Sequence, residues 1–271
     1  MEQLPGEHGQ WSIEQQVHAI LDAGFDGVQI EIPPYEPARE TLEALAGSKR
    51  PWVMEAFPQT VDQLESTIEA VLHFGADRCH HIDIQPNVRP STVLECIPYV
   101  LGWQRLADEA GIPLYFETHR DRMTTDLLFT LQLLDAVPPI RVVADLSHYL
   151  VGREFPYPVS EGNHALIHRV LDRAEAMHGR VASREQVQIP FQFPHHRQWL
   201  DLFLEWWEEG FRRWRSRASG EYPMTFTVEL GPPPYAITGA DGLELSDRWV
   251  DALVLKDLVR RRWDATSRAA D

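Results

Sequence analysis

Ile112-Pro113-Leu114-Tyr115-Phe116-Glu117, a helical pattern over Thr124–Leu134, then Ile140-Arg141-Val142-Val143-Ala144-Asp145: this stretch decides the fold. Two short runs rich in β-branched and aromatic residues flank a segment with helical apolar spacing. That is the pattern of a strand, a crossover helix and a second, parallel strand. The same rhythm extends in both directions. Upstream, a helix over Ser12–Ala23, with Ser12 as N-cap and Gly24 as stop, feeds a strand over 27–32. A helix near Pro37–Gly47 leads to a strand over 52–57, one over Thr60–Phe74 to a strand over 79–84, and one over Thr92–Ala110 to Ile112–Glu117. Downstream, a longer insertion precedes a strand over Arg173–His178. A Trp-rich helix around Gln198–Arg215 follows, then a strand over Met224–Glu229 and a final helix from Ser246 to about Arg262.

Unbroken alternation with no linker predicts one α/β domain over 1–271, a TIM-type (β/α)8 barrel. The first strand is missing or atypical: seven strands are visible, and the residues before Ser12 look like the loop that would follow a first strand. A doubly wound open sheet is the alternative, but no Gly-rich phosphate loop follows a strand. The 271 residues, 44% of them hydrophobic, suffice for one large core. A net charge of −16 opposes binding to a phosphate backbone, so no nucleic-acid partner is expected. No apolar run approaches the roughly 20 residues that span a bilayer, and the N-terminus lacks a basic-then-apolar signal pattern. A cytoplasmic protein with no membrane partner is the expectation. Cys79 and Cys96 have no CxxC spacing and read as buried thiols.

Glu117, Asp145, His178 and Glu229 each close a separate predicted strand, behind mostly apolar residues. In a barrel those ends converge on one mouth. Any one of these residues alone reads as a solvated strand end. Together, three carboxylates and an imidazole suit one divalent metal, Mn, Co, Zn or Mg, and leave positions for substrate oxygens. Without a cation the carboxylates would repel one another.

The segments Tyr115-Phe116-Glu117-Thr118-His119-Arg120, Val143-Ala144-Asp145-Leu146-Ser147-His148, Met177-His178-Gly179-Arg180 and Thr227-Val228-Glu229-Leu230-Gly231-Pro232 resemble the metal-binding strand ends of the sugar phosphate isomerase/epimerase family, whose barrel is like that of xylose isomerase. The resemblance runs over nearly the whole chain. It implies that Glu117, Asp145, His178 and Glu229 are metal ligands and that His148 and Arg180 bind substrate hydroxyls or a carboxylate. Met123 stands where ketose epimerases have a further carboxylate, and their substrate loops are not recognisable, which leaves the ketose substrate open. The expected substrate is a sugar or polyol, and the expected chemistry isomerisation or epimerisation. A cation holding adjacent carbonyl and hydroxyl oxygens stabilises the enediolate formed when Glu117 or Glu229 takes a C–H proton. Expulsion of a β-hydroxyl instead gives a dehydratase of the inosose or dehydroshikimate type. An abasic-site endonuclease is disfavoured by net charge and by the lack of an Asp-x-His pair after His178, and a barrel without catalysis by the intact ligand set.

Other polar residues carry weaker signals. His119 and Arg120 follow the first ligand and are placed to shape the pocket, and one of His80 and His81 is a candidate substrate contact by strand alternation. Arg153 is a candidate for holding an acidic group, though a weaker one. Glu31 and Glu55 lie near strand ends, and His195 and His196 read as a loop and helix start. Trp199, Trp206, Trp207 and Trp214 fall at mixed helical spacings, which suggests packing on the barrel or a homo-oligomer contact.

Overall fold

The computed structural model describes residues 11–31, 36–46, 49–218 and 223–268. The segment expected to follow a first strand therefore lies outside the described residues, as do residues 32 and 47, the expected ends of the first strand and second helix. Two compact units divide the chain at Arg141/Val142, with Asp126–Leu128 grouped with the second.

In the first unit, strands β1 (Val28–Glu31), β2 (Trp52–Ala56), β3 (Cys79–Ile84) and β4 (Leu114–Glu117) pair in parallel in that order. Helices α1 (Ile13–Asp22), α2 (Glu36–Ala46), α3 (Gln63–Phe74) and α4 (Val93–Ala110) alternate with them, and α5 (Leu127–Ala136) follows. Local signals set the helix ends. Ser12 caps α1 in a capping box with Gln15, Thr92 caps α4, and Gly111 ends α4 at φ 70°, a left-handed conformation that favours glycine.

In the second unit, β5 (Val142–Ala144), β6 (Ala174–Gly179) and β7 (Thr225–Val228) pair in parallel, again in chain order. Two helices, α6 (Ser147–Gly152) and α7 (Glu161–Leu171), occupy the stretch that reads as an insertion in the sequence. At six residues, α6 is too short to show a helical period. Helices α8 (Arg197–Arg217) and α9 (Arg248–Arg268) complete the unit. The tryptophans of α8 pack inside this chain: Trp206 and Trp207 are fully buried, Trp206 Nε1 donates to His164 Nδ1 at 2.9 Å, and Trp214 Nε1 donates to Glu175 Oε2 at 2.8 Å. Burial of this extent, with the N–H groups of Trp206 and Trp214 satisfied inside the chain, marks these indoles as core.

Both cysteines are buried. Burial pushes the Cys79 thiol up to about 12 and the Cys96 thiol up to about 11, which disfavours the thiolate form of both. No helix among the described residues is long and apolar enough to cross a membrane.

The residues that lead into β1 and β2 lie in close contact. A Cβ placed on Gly27 would stand 2.0 Å from the Pro51 carbonyl oxygen, a backbone atom that cannot rotate away. Gly27→Ala is expected to lose about 1–3 kcal/mol or more in urea denaturation. Gly152→Ala, in open space within α6, is expected to gain about 0.5–1 kcal/mol.

Candidate metal centre

In the second unit, wholly buried β5 delivers Asp145 to its C-terminal end, where the side chain has no solvent exposure. Its Oδ1 accepts from the Ser147 amide at 2.9 Å and the Ser147 hydroxyl at 2.6 Å, anchoring the start of α6. The other oxygen, Oδ2, accepts from Arg180 Nε at 3.2 Å and lies 3.4 Å from His148 Nε2. His178 stands near the end of β6 opposite Thr227 of β7, so Glu229, two residues past Thr227, shares its face. His178 Nδ1 lies 2.6 Å from Glu229 Oε2, an ion pair when the imidazole is protonated. Gly179 permits this close pairing, because a Cβ there would stand 2.4 Å from the Phe226 ring.

Arg180 ties the group together. Its guanidinium bonds Asp145 through Nε and Glu229 Oε1 through Nη2, donates from Nη1 to Gln188 Oε1 at 3.3 Å, and lies 4.5 Å from the Tyr235 ring centroid. Gln188 in turn accepts from the Gly231 amide and donates to the Gly231 carbonyl, both at 2.8 Å. Burial pushes the Asp145 carboxyl up, and the pull of Arg180 offsets this only in part. Burial also acts upward on Glu229, but Arg180 and His178 reverse it and hold that carboxyl well below the ordinary range.

Asp145, His178 and Glu229 offer ligand atoms that all lie within 4.8 Å of one another. Two carboxylates and one imidazole are a hard-to-borderline donor set; Asp145 Oδ1 is taken up by its two bonds from Ser147, so Oδ2 is the Asp145 oxygen that would face a cation. The set fits a divalent cation. Sequence reading assigns Arg180 and His148 to substrate; the structure places both against Asp145, and Arg180 against Glu229 as well.

In the first unit, β4 alternation sets Glu117. Phe116 turns toward Trp103 of α4, their rings 6.4 Å apart, so Tyr115 and Glu117 take the opposite face, where Tyr115 meets His81 at 4.6 Å. Glu117 is fully buried. Its Oε2 accepts from Gln85 Nε2 at 2.8 Å, and the same nitrogen donates to Glu55 Oε1 at 2.8 Å. The Thr124 hydroxyl donates to the Glu117 carbonyl at 2.5 Å and accepts from the His119 amide at 3.1 Å, latching the turn after β4. His119 is buried with Nδ1 2.5 Å from the Arg120 carbonyl, and it offers a ligand atom within 4.8 Å of Glu117. Nδ1 must carry the proton to make that bond, which leaves a lone pair on Nε2.

Gln85, Thr124, Ser147 and Gln188 are the residues that sequence reading missed. A lone amide or hydroxyl in a loop has no period and no motif; position just past a strand end singles out Gln85 and Ser147, but not Thr124 and Gln188. The weaker candidates fall elsewhere. Arg153 pairs with Asp126 at 3.6 Å on the surface, and Arg120 is exposed. His80 and His81 pair through their Nδ1 atoms at 2.9 Å, with His81 buried. His195 and His196 form the turn that opens α8, as expected. Glu31 is exposed at the end of β1. Met123 is buried.

Removing one partner of a buried ion pair strands the other charge. In metal-free buffer, Arg180→Met is expected to lower unfolding free energy by about 3–5 kcal/mol, and adding Asp145→Asn is expected to recover part of the loss. Chemical denaturation in chelator checks both. Equal stability of Arg180→Met and the parent would contradict the balance described here.

No protein-family model matches the chain, and no curated protein does. Solved structures do. A xylose isomerase-like TIM barrel protein from Mycobacterium smegmatis, in complex with magnesium, aligns with TM-score 0.52 and 13% identity over 94% of this chain and 91% of that one. The probable 3-DHS dehydratase AsbF from Bacillus anthracis, involved in petrobactin synthesis, aligns with TM-score 0.55 and 12% identity over 92% of this chain and 93% of that one. At such identity the likeness speaks for architecture alone. The chain has the α/β TIM-type barrel fold of xylose isomerase-like proteins.

Proposed function

We propose that the protein is a divalent-metal-dependent enzyme of small polyhydroxylated substrates, an isomerase or epimerase of sugars, sugar phosphates or related keto acids. The observation that carries this reading is the convergence of Asp145, His178 and Glu229 within 4.8 Å, two carboxylates and an imidazole at the ends of three strands. Glu117, at the end of β4, is assigned as the fourth ligand by its place in the ordered Glu, Asp-x-x-His, His-x-Arg, Glu series. This treats 1–271 as one catalytic domain.

A bound Mn, Co, Zn or Mg ion would act as a Lewis acid on a substrate carbonyl and stabilise the enediolate. The chain's residues do the rest. Glu229, held ionised by Arg180 and His178, is the candidate to take a proton from the carbon beside the carbonyl. Glu117 is the second carboxylate: a proton that it takes from solvent and delivers to the opposite face of the same carbon inverts the centre, while Glu229 gives its own proton back to solvent. Return to the neighbouring carbon instead exchanges aldose and ketose. His119, with Nε2 as acceptor and Nδ1–H given to the Arg120 carbonyl, is assigned to a substrate hydroxyl. His148 and Arg180 hold Asp145, and Arg180 also holds Glu229, which sets the carboxylate planes that meet the substrate. Loss of a β-hydroxyl as water is the second reading, since it needs the same stabilised enolate and differs only in substrate pose; the probable dehydratase AsbF is built on the same architecture.

Elemental analysis of the purified protein tests the metal. About one equivalent, lost in a Glu117→Gln, Glu229→Gln double variant, is the expected result. Three zinc ions would point to a nuclease, and no metal even in excess Mn²⁺ to a barrel without catalysis. Incubation of sugars and cyclitols in D₂O separates the chemistries. Solvent deuterium on carbon in a product of unchanged formula marks isomerisation or epimerisation, and a conjugated carbonyl absorbing in the ultraviolet marks dehydration. Glu229→Gln is expected to cut either activity by about 100-fold or more.

A further inference from the structure

We propose that Gln85 is the positioning residue for Glu117, and that through its amide it makes Glu55 part of the same metal centre. The inference rests on the metal-dependent reading above. Gln85 lies one residue past β3, is buried, and has its own backbone fixed by a bond from its amide to the Ala56 carbonyl at 2.9 Å. The loop it opens is held at two further points, Asn87 amide to Pro58 carbonyl at 2.9 Å and Met123 amide to Pro86 carbonyl at 3.2 Å. Its side chain thus leaves a rigid base. Both contacts of Nε2, with Glu55 Oε1 and Glu117 Oε2, are 2.8 Å. Carboxylates only accept, so both amide hydrogens are committed, one to each, and the orientation of the amide follows from its partners.

The choice of side chain matters chemically. An arginine or lysine here would orient Glu117 but also neutralise it, and would compete with a divalent ion for the same carboxylate. An apolar residue would leave the carboxylate plane unset. Glutamine supplies two donors with no net charge, so it fixes Glu117 while leaving its negative charge to the cation. Glu55 is the second anchor: with one hydrogen held by Glu55, the amide cannot rotate away from Glu117. Outer-shell partners of this kind change metal affinity by about 10–100-fold when removed. Gln85 is the link through which Glu55 is expected to act on Glu117, one nitrogen bonding both carboxylates.

The experiment is a Mn²⁺ titration of the full chain by calorimetry, with thermal denaturation of each metal-free variant alongside. Gln85→Met is expected to weaken Mn²⁺ binding about 10–100-fold. Glu55→Leu is expected to weaken it less, by about 3–10-fold on the scale of outer-shell effects. Adding Glu55→Leu to Gln85→Met is expected to weaken it no further, and Glu55→Gln, whose carbonyl can still accept from Gln85, to stay near the parent. A strut that only braces the strands would lower the melting temperature and leave Mn²⁺ affinity unchanged, which would overturn the proposal. So would additive losses in the double variant. Should Gln85→Met fail to fold, unchanged affinity in Glu55→Leu is sufficient to overturn it. A parent protein that binds no Mn²⁺ sinks the functional reading and this inference together, whereas binding by the parent with no change in either variant sinks this inference alone.

Discussion

The arrangement around Asp145 depends on one electrostatic constraint: two carboxylates removed from bulk water within reach of each other need a cation. Arg180 supplies it from inside the chain, reaching Asp145 and Glu229 with different nitrogens of one planar group. A lysine could not do this, because its ammonium is a single point, whereas the guanidinium presents donors in a fixed fork. The compensation is uneven. Glu229 is held well below its ordinary range while Asp145 remains above its own, so the desolvation of Asp145 is not fully offset by the protein alone. The proposed metal assignment rests on geometry, the ligand atoms of Asp145, His178 and Glu229 all lying within 4.8 Å of one another.

Strand geometry does the positioning. Period-two alternation puts Glu117 opposite the face that packs on α4, and puts Glu229 on the face of His178 two residues beyond its register partner. Apolar residues precede the functional ones in β4 and β5, and their burial carries the polar ends inward with them. The TIM-type fold places chemistry at strand C-termini, and the two solved structures most usefully compared with the chain have the same architecture at 12–13% identity.

Most of the architecture was legible because it repeats. Strand–helix alternation gave β1 to β7 to within a few residues, and the residues closing four strands stood out because a charged residue at the end of an apolar run is conspicuous. What was not legible is what does not repeat. Helix α6 is short, and α7 sits in a stretch with no strand between itself and α6. Arg180 was visible as a charge but not as the partner of Asp145, a residue 35 positions away in sequence. Gln85 and Gln188 act through hydrogen bonds to residues distant in sequence, such as Glu117 and Gly231, and Thr124 through two bonds across the turn after β4, so no period or motif announced them. The tryptophans of α8 read equally well as packing or as a subunit contact until burial within the chain accounted for them.

Gln188 both gives a hydrogen bond to and takes one from the peptide group of Gly231, as one strand does with the next. Its side-chain amide is thus a surrogate peptide unit, an extra rung beyond the point where β6 and β7 stop pairing. Because its oxygen also receives Arg180, that rung carries the guanidinium on the same atom that sets the loop. The loops after β6 and β7 are thus tied together at Gln188, and a change that shifts Gly231 along its chain would break both bonds and with them the support that Gln188 gives to Arg180.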